Sequence, residues 1–530
     1  MELVYLWVEN YKNIHKQGFN FSPRFRCEFK DEYEKYIDTD GKEKEKLKDN
    51  CELIIEKKEY KSIFPDNINI TAIVGENGSG KSNLTKLLLS SIVQNKDNWH
   101  NIKNILLVFK DYNTLDEKIF TFSGIKENND QFVDLKINRK AIEKLYSDNK
   151  CIKINDFLEE YYYLFIDFSI MDSNIWNNKN YKEKFSIEPS RDYKTSGPEW
   201  SAKLSATGFD SNMKANLVYF YKLVDKELKI KFNIPLFDTI KIYGKKRVST
   251  DKVTVEINNA KKFYKRNQTF LNLTEDNFDK NSFKSENKNI SDITDYELDA
   301  ISYFDTFCDI ELSIKDENLF FYNLSTGTKT LLSYFGIICK TIIKRLSDKK
   351  KLFILIDEIE NSLHPNWQKE FLNMLIIFLS NWEKTKDLNL IHIILVSHSP
   401  FILSDIPKEN VIFLEKGKQV YPFEDGKQTF GANIHTLLSH GFFMKDGLMG
   451  EFAKEKIDLA IKYLNQKILT EDELNYCENI ISIIGEPIIK RELQRKLDSK
   501  RLSKIDKIEE IEEQMKLLQN RLEMIRKNQK

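Results

Sequence analysis

One octapeptide limits this chain more than any other stretch: Gly75-Glu76-Asn77-Gly78-Ser79-Gly80-Lys81-Ser82. Its glycines let consecutive backbone N–H groups turn inward around phosphate oxygens, a curvature that side chains would obstruct. The pattern carries that meaning only where a strand enters it and a helix leaves it. Both flanks comply. Ile68 to Val74 is an apolar, β-branched run, and Leu84, Leu87, Leu88 and Ile92 recur afterwards at helical spacing. A doubly wound α/β fold follows, with the loop at the carboxyl end of a strand, where such sheets hold ligands. In that setting Asn77, Gly78, Ser79, Gly80, Lys81, Ser82 and Asn83 form the expected nucleotide-binding segment for ATP. Lys81 reaches the β and γ oxygens and the Ser82 hydroxyl holds Mg2+.

Two further apolar runs end in chemistry. Leu352 to Ile356 leads into Asp357-Glu358, and Ile391 to Val396 leads into Ser397-His398-Ser399-Pro400. Asp357 is expected to order the hydrated metal ion and Glu358 to act as general base on the attacking water. His398, an imidazole at a strand's carboxyl end, is expected to hydrogen-bond the γ-phosphate. Glu358 and His398 are therefore the predicted catalytic pair. His15, His100, His392, His435 and His440 take the structural reading, and His364 is left open.

Composition removes other function classes. The 82 basic and 82 acidic side chains cancel, so any nucleic-acid surface has to be a local patch. Lys245-Lys246-Arg247, Lys261-Lys262 and Lys265-Arg266 with Tyr243, Phe263 and Tyr264 mix charge and stacking groups in the way single strands use, although a solvated face is the favoured reading. The apolar runs fall far short of the ~20 residues that cross a bilayer, so no membrane association is expected. The N-terminus lacks a signal-peptide pattern. Six cysteines without close pairing argue against zinc or disulfide frameworks and are in keeping with a cytoplasmic setting.

The segment Asn323-Leu324-Ser325-Thr326-Gly327-Thr328-Lys329 precedes the apolar run Leu331 to Ile338. With the phosphate loop, the strand-Asp-Glu and the strand-Ser-His, in that order, it resembles the ABC ATPase heads of the recombination-repair, SMC and OLD groups. The resemblance implies a homodimer or higher oligomer through the heads, in which Ser325, Thr326 and Gly327 close on the neighbour's nucleotide. Thr328 departs from the Glu or Gln common after that glycine. The resemblance also implies a metal-linking glutamine, but neither Gln94 nor Gln131 stands in a recognisable context. The 242 residues between Ser82 and Ser325 disfavour a transporter subunit, and they lack the sustained heptads of SMC arms.

The architecture expected is an ABC-type P-loop ATPase core with an inserted α+β domain and a helical C-terminal region ending in a short coiled coil. Its spans are core 1–110, insertion 111–300 with a mobile loop near 267–295, core 301–445, helices 446–503 and coiled coil 504–530. The coiled coil is read from Ile508, Ile511, Met515, Leu518, Leu522 and Ile525, spaced 3, 4, 3, 4 and 3. Glu471-Asp472-Glu473 reads as a helix start rather than as part of a nuclease centre. Asp357 to Pro365 with Ser397 to Phe401 resembles OLD-like ATPases of anti-phage systems. Phe430 to His435, Gly441-Phe442-Phe443 and Ile484 to Pro487 resemble the ATPase subunit of Septu-type and some retron defence systems. That resemblance implies a separate HNH-type nuclease partner, with the coiled coil and Phe442-Phe443 as docking candidates or ordinary packing. The alternatives are a repair ATPase that binds DNA itself and an ATP-binding scaffold with negligible hydrolysis.

Overall fold

The fold is described from a computed structural model. It describes residues 2–48, 51–93, 105–110, 117–122, 136–140, 161–167, 185–187, 208–224, 226–232, 234–244, 287–294, 297, 308–314, 319–345, 351–358, 360, 363–382, 385, 388–423, 426–442 and 449–528. Two compact units divide the chain, 1–445 and 446–530.

The first unit is built on a seven-stranded sheet. Its strands are β1 (Ile68–Gly75), β2 (Tyr161–Asp167), β3 (Phe185–Ile187), β4 (Lys351–Asp357), β5 (Leu390–Val396), β6 (Val411–Glu415) and β7 (Lys418–Val420). They stand in the order β3-β2-β4-β5-β1-β6-β7. All neighbours are parallel except the β6–β7 hairpin. β1 and β5 are buried along their whole length, which is why apolar side chains fill both faces of each strand, with Asn69, Thr71 and His392 as the buried polar exceptions.

Register aligns the chemistry. Asp167 pairs with Asp357, Asp357 with Val396, and Val396 with Ile73, so the carboxyl ends of four strands form one edge. The span expected as an insertion therefore supplies β2 and β3 to the core sheet, and β2 lies directly beside the strand carrying Asp357. A parallel neighbour is chosen by long-range register, which local composition does not encode.

Helix α1 (Lys81–Val93) leaves the phosphate loop and packs between the core sheet and an antiparallel sheet of strands 14–20, 2–11, 105–110 and 117–122. The first strand of that sheet shows how a bulge rescues an imperfect period. Pairing skips Val4, so Val4 and Tyr5 share a face. Leu3, Leu6 and Val8 then point to the α1 side, whereas Val4, Tyr5 and Trp7 pack on Phe25, Phe29 and Leu53.

On the opposite side of the core sheet lie α2 (Gly208–Leu223), α3 (Thr326–Arg345) and α4 (Pro365–Asn381). Phe220, Phe335 and Phe378 meet there, with ring centroids 5.4–6.3 Å apart. Strands Thr239–Gly244 and Cys308–Ile314 pair antiparallel and lead through Leu319–Phe320 into the start of α3. The expected mobile loop near 267–295 is corrected at its end. Ile290 and Ile293 are buried in the main core, and Lys288 bonds Glu297 at 2.6 Å, because two isoleucines at spacing three give that stretch an anchor. Residues 267–286 lie outside the described residues, as do the basic clusters at 245–247, 261–262 and 265–266, and Gln94 and Gln131.

The second unit contains α5 (Glu451–Leu464), α6 (Glu471–Ile483) and α7 (Pro487–Asn528). Ala460, Leu464, Cys477, Ile481, Leu493 and Leu497 form its core. Thr470 and Glu473 close a reciprocal capping box, so Glu471-Asp472-Glu473 is indeed a helix start. α7 continues without a break across the boundary expected at 503–504. Among the described residues no helix is long and apolar enough to cross a membrane.

Candidate functional site

Asn77, Gly78, Gly80, Lys81, Ser82, Asn83, Asp357, Glu358, Val396, Ser397 and His398 line one cleft of about 220 Å3 at the carboxyl edge of the sheet. Three separate strand ends thus bring their polar residues to one place.

The loop cannot be built from other residue types. Gly78 and Gly80 have φ of 77° and 110°, in the left-handed region open to glycine. A Cβ at Gly75 would stand 2.3 Å from Leu414 O on β6. Lys81 Nζ donates to Gly75 O and Glu76 O, both at 2.9 Å, curling back over the loop. Burial pulls its pKa down to about 8, against the opposing pull of Asp357, Glu360, Glu358 and Glu76. Ser79, by contrast, is buried behind the loop and its Oγ has no hydrogen-bond partner. The loop is also clasped from outside. Gly417 N donates to Ser79 O at 2.7 Å, and Asn83 Nδ2 donates to Asn13 Oδ1 at 2.7 Å.

Asp357 is buried at the end of β4. Glu358 follows with φ of 53°, and its amide donates to Val396 O at 3.0 Å, so the chain turns sharply at the lip of the cleft. His398 is half-buried, and burial first, then nearby Lys81, lowers its pKa to about 4. It is a neutral imidazole at neutral pH, with one N–H to donate.

Glu360, which in the sequence only accompanies the Asp357-Glu358 pair and carries no assigned role, organises this corner. Its carboxylate accepts from Ser397 Oγ at 2.6 Å and from the His398 amide at 2.5 Å. Burial raises its pKa, an effect these two donors oppose. Gln368 on α4 adds a second brace, accepting from Ser399 Oγ at 2.7 Å and donating to Leu363 O at 2.9 Å. The signal available was an acid two residues beyond Glu358, which had no assigned partner. Asp167 also escaped notice, although its register puts it level with Asp357.

His392 sits buried in the sheet beside Phe353, in keeping with its structural reading. His364 caps α4, its Nδ1 accepting from Asn366 N at 3.2 Å. Phe442 is corrected as a docking residue: it is buried and its ring stacks on His398, because an aromatic beside a strand end is worth more packed than exposed. Phe443 lies outside the described residues.

Ser325 and Gly327 are not in the cleft. Ser325 precedes α3 and caps it, its Oγ accepting from Thr328 N at 3.2 Å and lying 2.9 Å from Thr328 Oγ1. The unusual Thr328 therefore has a local role, sharing a hydrogen bond with the cap.

The residues present suit a nucleoside triphosphate with Mg2+. The fit rests on the glycine cradle, the lysine held over it and a buried carboxylate, Asp357, lining the same cleft as Ser82. Bound Mg2+ would sit with Ser82 and Asp357 and withdraw charge from the phosphate oxygens. Residues 224–404 match the family described as "AAA domain, putative AbiEii toxin, Type IV TA system". The match takes in Ser325, Asp357, Glu358 and His398 and begins downstream of Gly75–Ser82, so the phosphate loop rests on its own sequence and geometry. With the mixed α/β sheet and its cleft, the match identifies a distant AAA-type P-loop NTPase domain in this chain, with the nucleotide-binding capacity of that superfamily.

Proposed function

We propose that this chain is the ATP-hydrolysing regulatory subunit of a bacterial anti-phage defence complex, an ABC-type head that closes as a nucleotide-gated dimer and controls a separate HNH-type nuclease. The observation that carries the ATPase reading is the meeting of Lys81, Ser82, Asp357, Glu358 and His398 in one cleft. Lys81 neutralises phosphate charge, Glu358 takes a proton from water, and His398 donates to the oxygens that gain charge. Glu360 is a positioning residue that holds His398 through its amide. The exposed signature segment, with Ser325 at the head of a twenty-residue helix, supports closure on a second head: its N-terminal amides and hydroxyl suit an anion supplied by another chain. The defence role rests on the family match, whose description concerns a toxin–antitoxin system, and on the resemblance of the C-terminal motifs to Septu-type subunits.

Multiple-turnover phosphate release from purified protein tests the chemistry. Glu358→Gln should lower kcat by about 10²–10⁴-fold, the usual worth of a general base, while nucleotide binding survives. Lys81→Ala should abolish binding. Unchanged turnover in Glu358→Gln would remove the assignment. Co-purification of the tagged chain with its genomic neighbours, with and without ATP, tests the regulatory role. A stable nuclease companion supports it, and a lone ATP-dependent dimer that captures DNA moves the chain to the repair class.

A further inference from the structure

His398 stands between two buried serines, and each serine is held by a different acceptor. Ser397 Oγ donates to the Glu360 carboxylate at 2.6 Å and accepts from the Ser399 amide at 2.9 Å. Ser399 Oγ lies 2.7 Å from Gln368 Oε1, which can only accept, so its hydroxyl hydrogen is committed there. Gln368 Nε2 donates to Leu363 O at 2.9 Å, and Leu363 N donates to Glu360 O at 3.0 Å. Glu360, Ser397, Ser399, Gln368 and Leu363 thus close a circuit of hydrogen bonds. The Gln368 amide fits it in one orientation only. Leu363 O has no hydrogen to give, so it takes the nitrogen and leaves the oxygen to Ser399.

Local structure alone does not call for this circuit. Ser399 also caps the short helix Pro400–Ser404 by accepting from Ile402 N. Capping uses a lone pair and makes no demand on the hydroxyl hydrogen, which goes to Gln368 instead. Nor is the circuit built for direct contact with nucleotide, since of its five residues Ser397 alone lines the cleft. What it joins is Glu360 and Leu363, downstream of Glu358, to the stretch Ser397-His398-Ser399. Glu360 holds the amino side of the histidine and Gln368, from α4, holds its carboxyl side. A histidine held on one side swings about that side, whereas one held on both keeps a fixed distance from the Glu358 turn.

We infer that Gln368 is a positioning residue for hydrolysis, setting His398 against Glu358 through the Ser399 hydroxyl from a place outside the cleft. The inference rests on the ATPase reading above. It assigns to α4 a part in the chemistry that no residue of that helix plays by touching ATP.

The test is multiple-turnover phosphate release by the full chain, with wild type and Glu358→Gln run alongside. Rates are expressed per nucleotide site, counted by titration with a fluorescent ATP analogue carrying a methylanthraniloyl group, so a variant that folds in part is still read correctly. Gln368→Met keeps the length of the side chain and removes its polar atoms. It should lower kcat by about 10²-fold, the cost of misplacing a catalytic group by roughly 1 Å, with KM and the affinity for the analogue unchanged. Ser399→Ala cuts the same tie and should lose a similar factor. The double variant should lose no more than either single one, because a circuit already open is not opened again. An unchanged kcat in Gln368→Met would overturn the proposal, as would a loss that appears in KM and analogue binding, or losses that multiply in the double variant. Wild-type turnover that is absent, or that persists in Glu358→Gln, would instead remove the ATPase reading and this inference with it.

Discussion

Glu358 holds its backbone in the left-handed region, at φ 53°, which costs a residue with a Cβ of order 1–3 kcal/mol. The amide bond to Val396 O fixes the turn, and the turn carries the carboxylate to the lip of the cleft. Backbone strain and the proposed general base are thus located in one residue. Glu358→Gly should separate them: the melting temperature should equal or exceed that of the wild type, by calorimetry, while ATP turnover disappears. A lower melting temperature would show that the side chain contributes more than the backbone costs. At the head of α3, Ser325 serves the helix as well as the proposed neighbour. Ser325→Ala should cost about 1 kcal/mol by denaturant unfolding, and Ser325→Asp should restore most of it by capping the same amide.

Among the elements, α3 gives the sharpest packing test, because Phe335 touches rings from α2, α4 and the segment at Phe232 together. Phe335→Ala should destabilise the first unit by about 3–5 kcal/mol, the range for emptying an aromatic core position. A cost under 1 kcal/mol would mean that the site collapses around the void. α3 was legible because its apolar run is long and follows a polar start, and so were β1, β4 and β5, whose burial leaves short stretches dominated by apolar side chains on both faces. Within the cleft, Lys81, Asp357 and His398 were legible because each ends or follows such a run. The placement of β2 beside β4 was not, since Tyr161–Asp167 reads as a strand but nothing local states which strand it joins. Nor was Glu360, whose role depends on a loop more than 35 residues away folding back to bring the His398 amide within reach.

For the whole molecule, acid stability is set partly by His392. Its Nε2 lies 3.2 Å from Thr71 Oγ1, whose hydrogen is committed to Phe21 O, so Nε2 donates and Nδ1 is left without a partner. Burial pushes its pKa down to about 3. An unfolded chain, with its histidine near 6.5, binds more protons than the folded one between about pH 3 and 6.5. Stability from this group is therefore complete above pH 6.5 and lost as pH falls toward 3. His398, with its pKa near 4, acts in the same direction over the upper part of that window. His392→Gln should make the fall in melting temperature between pH 6.5 and 4 shallower than in the wild type, and an unchanged slope would assign the acid sensitivity to carboxylates.

The clasp around the phosphate loop has a consequence for how occupancy could be followed. The Gly417 amide donates to Ser79 O, and its position leaves no room for a Cβ, which would stand 2.0 Å from Asn13 O. That single N–H joins the phosphate loop to the β6–β7 turn, and it belongs to a residue on neither the lining nor the chemistry of the cleft. Its hydrogen-exchange rate therefore reads the rigidity of the loop from behind. Exchange slowed by nucleotide would mark a loop that tightens on its ligand, and an unchanged rate would mark one already set before the ligand arrives.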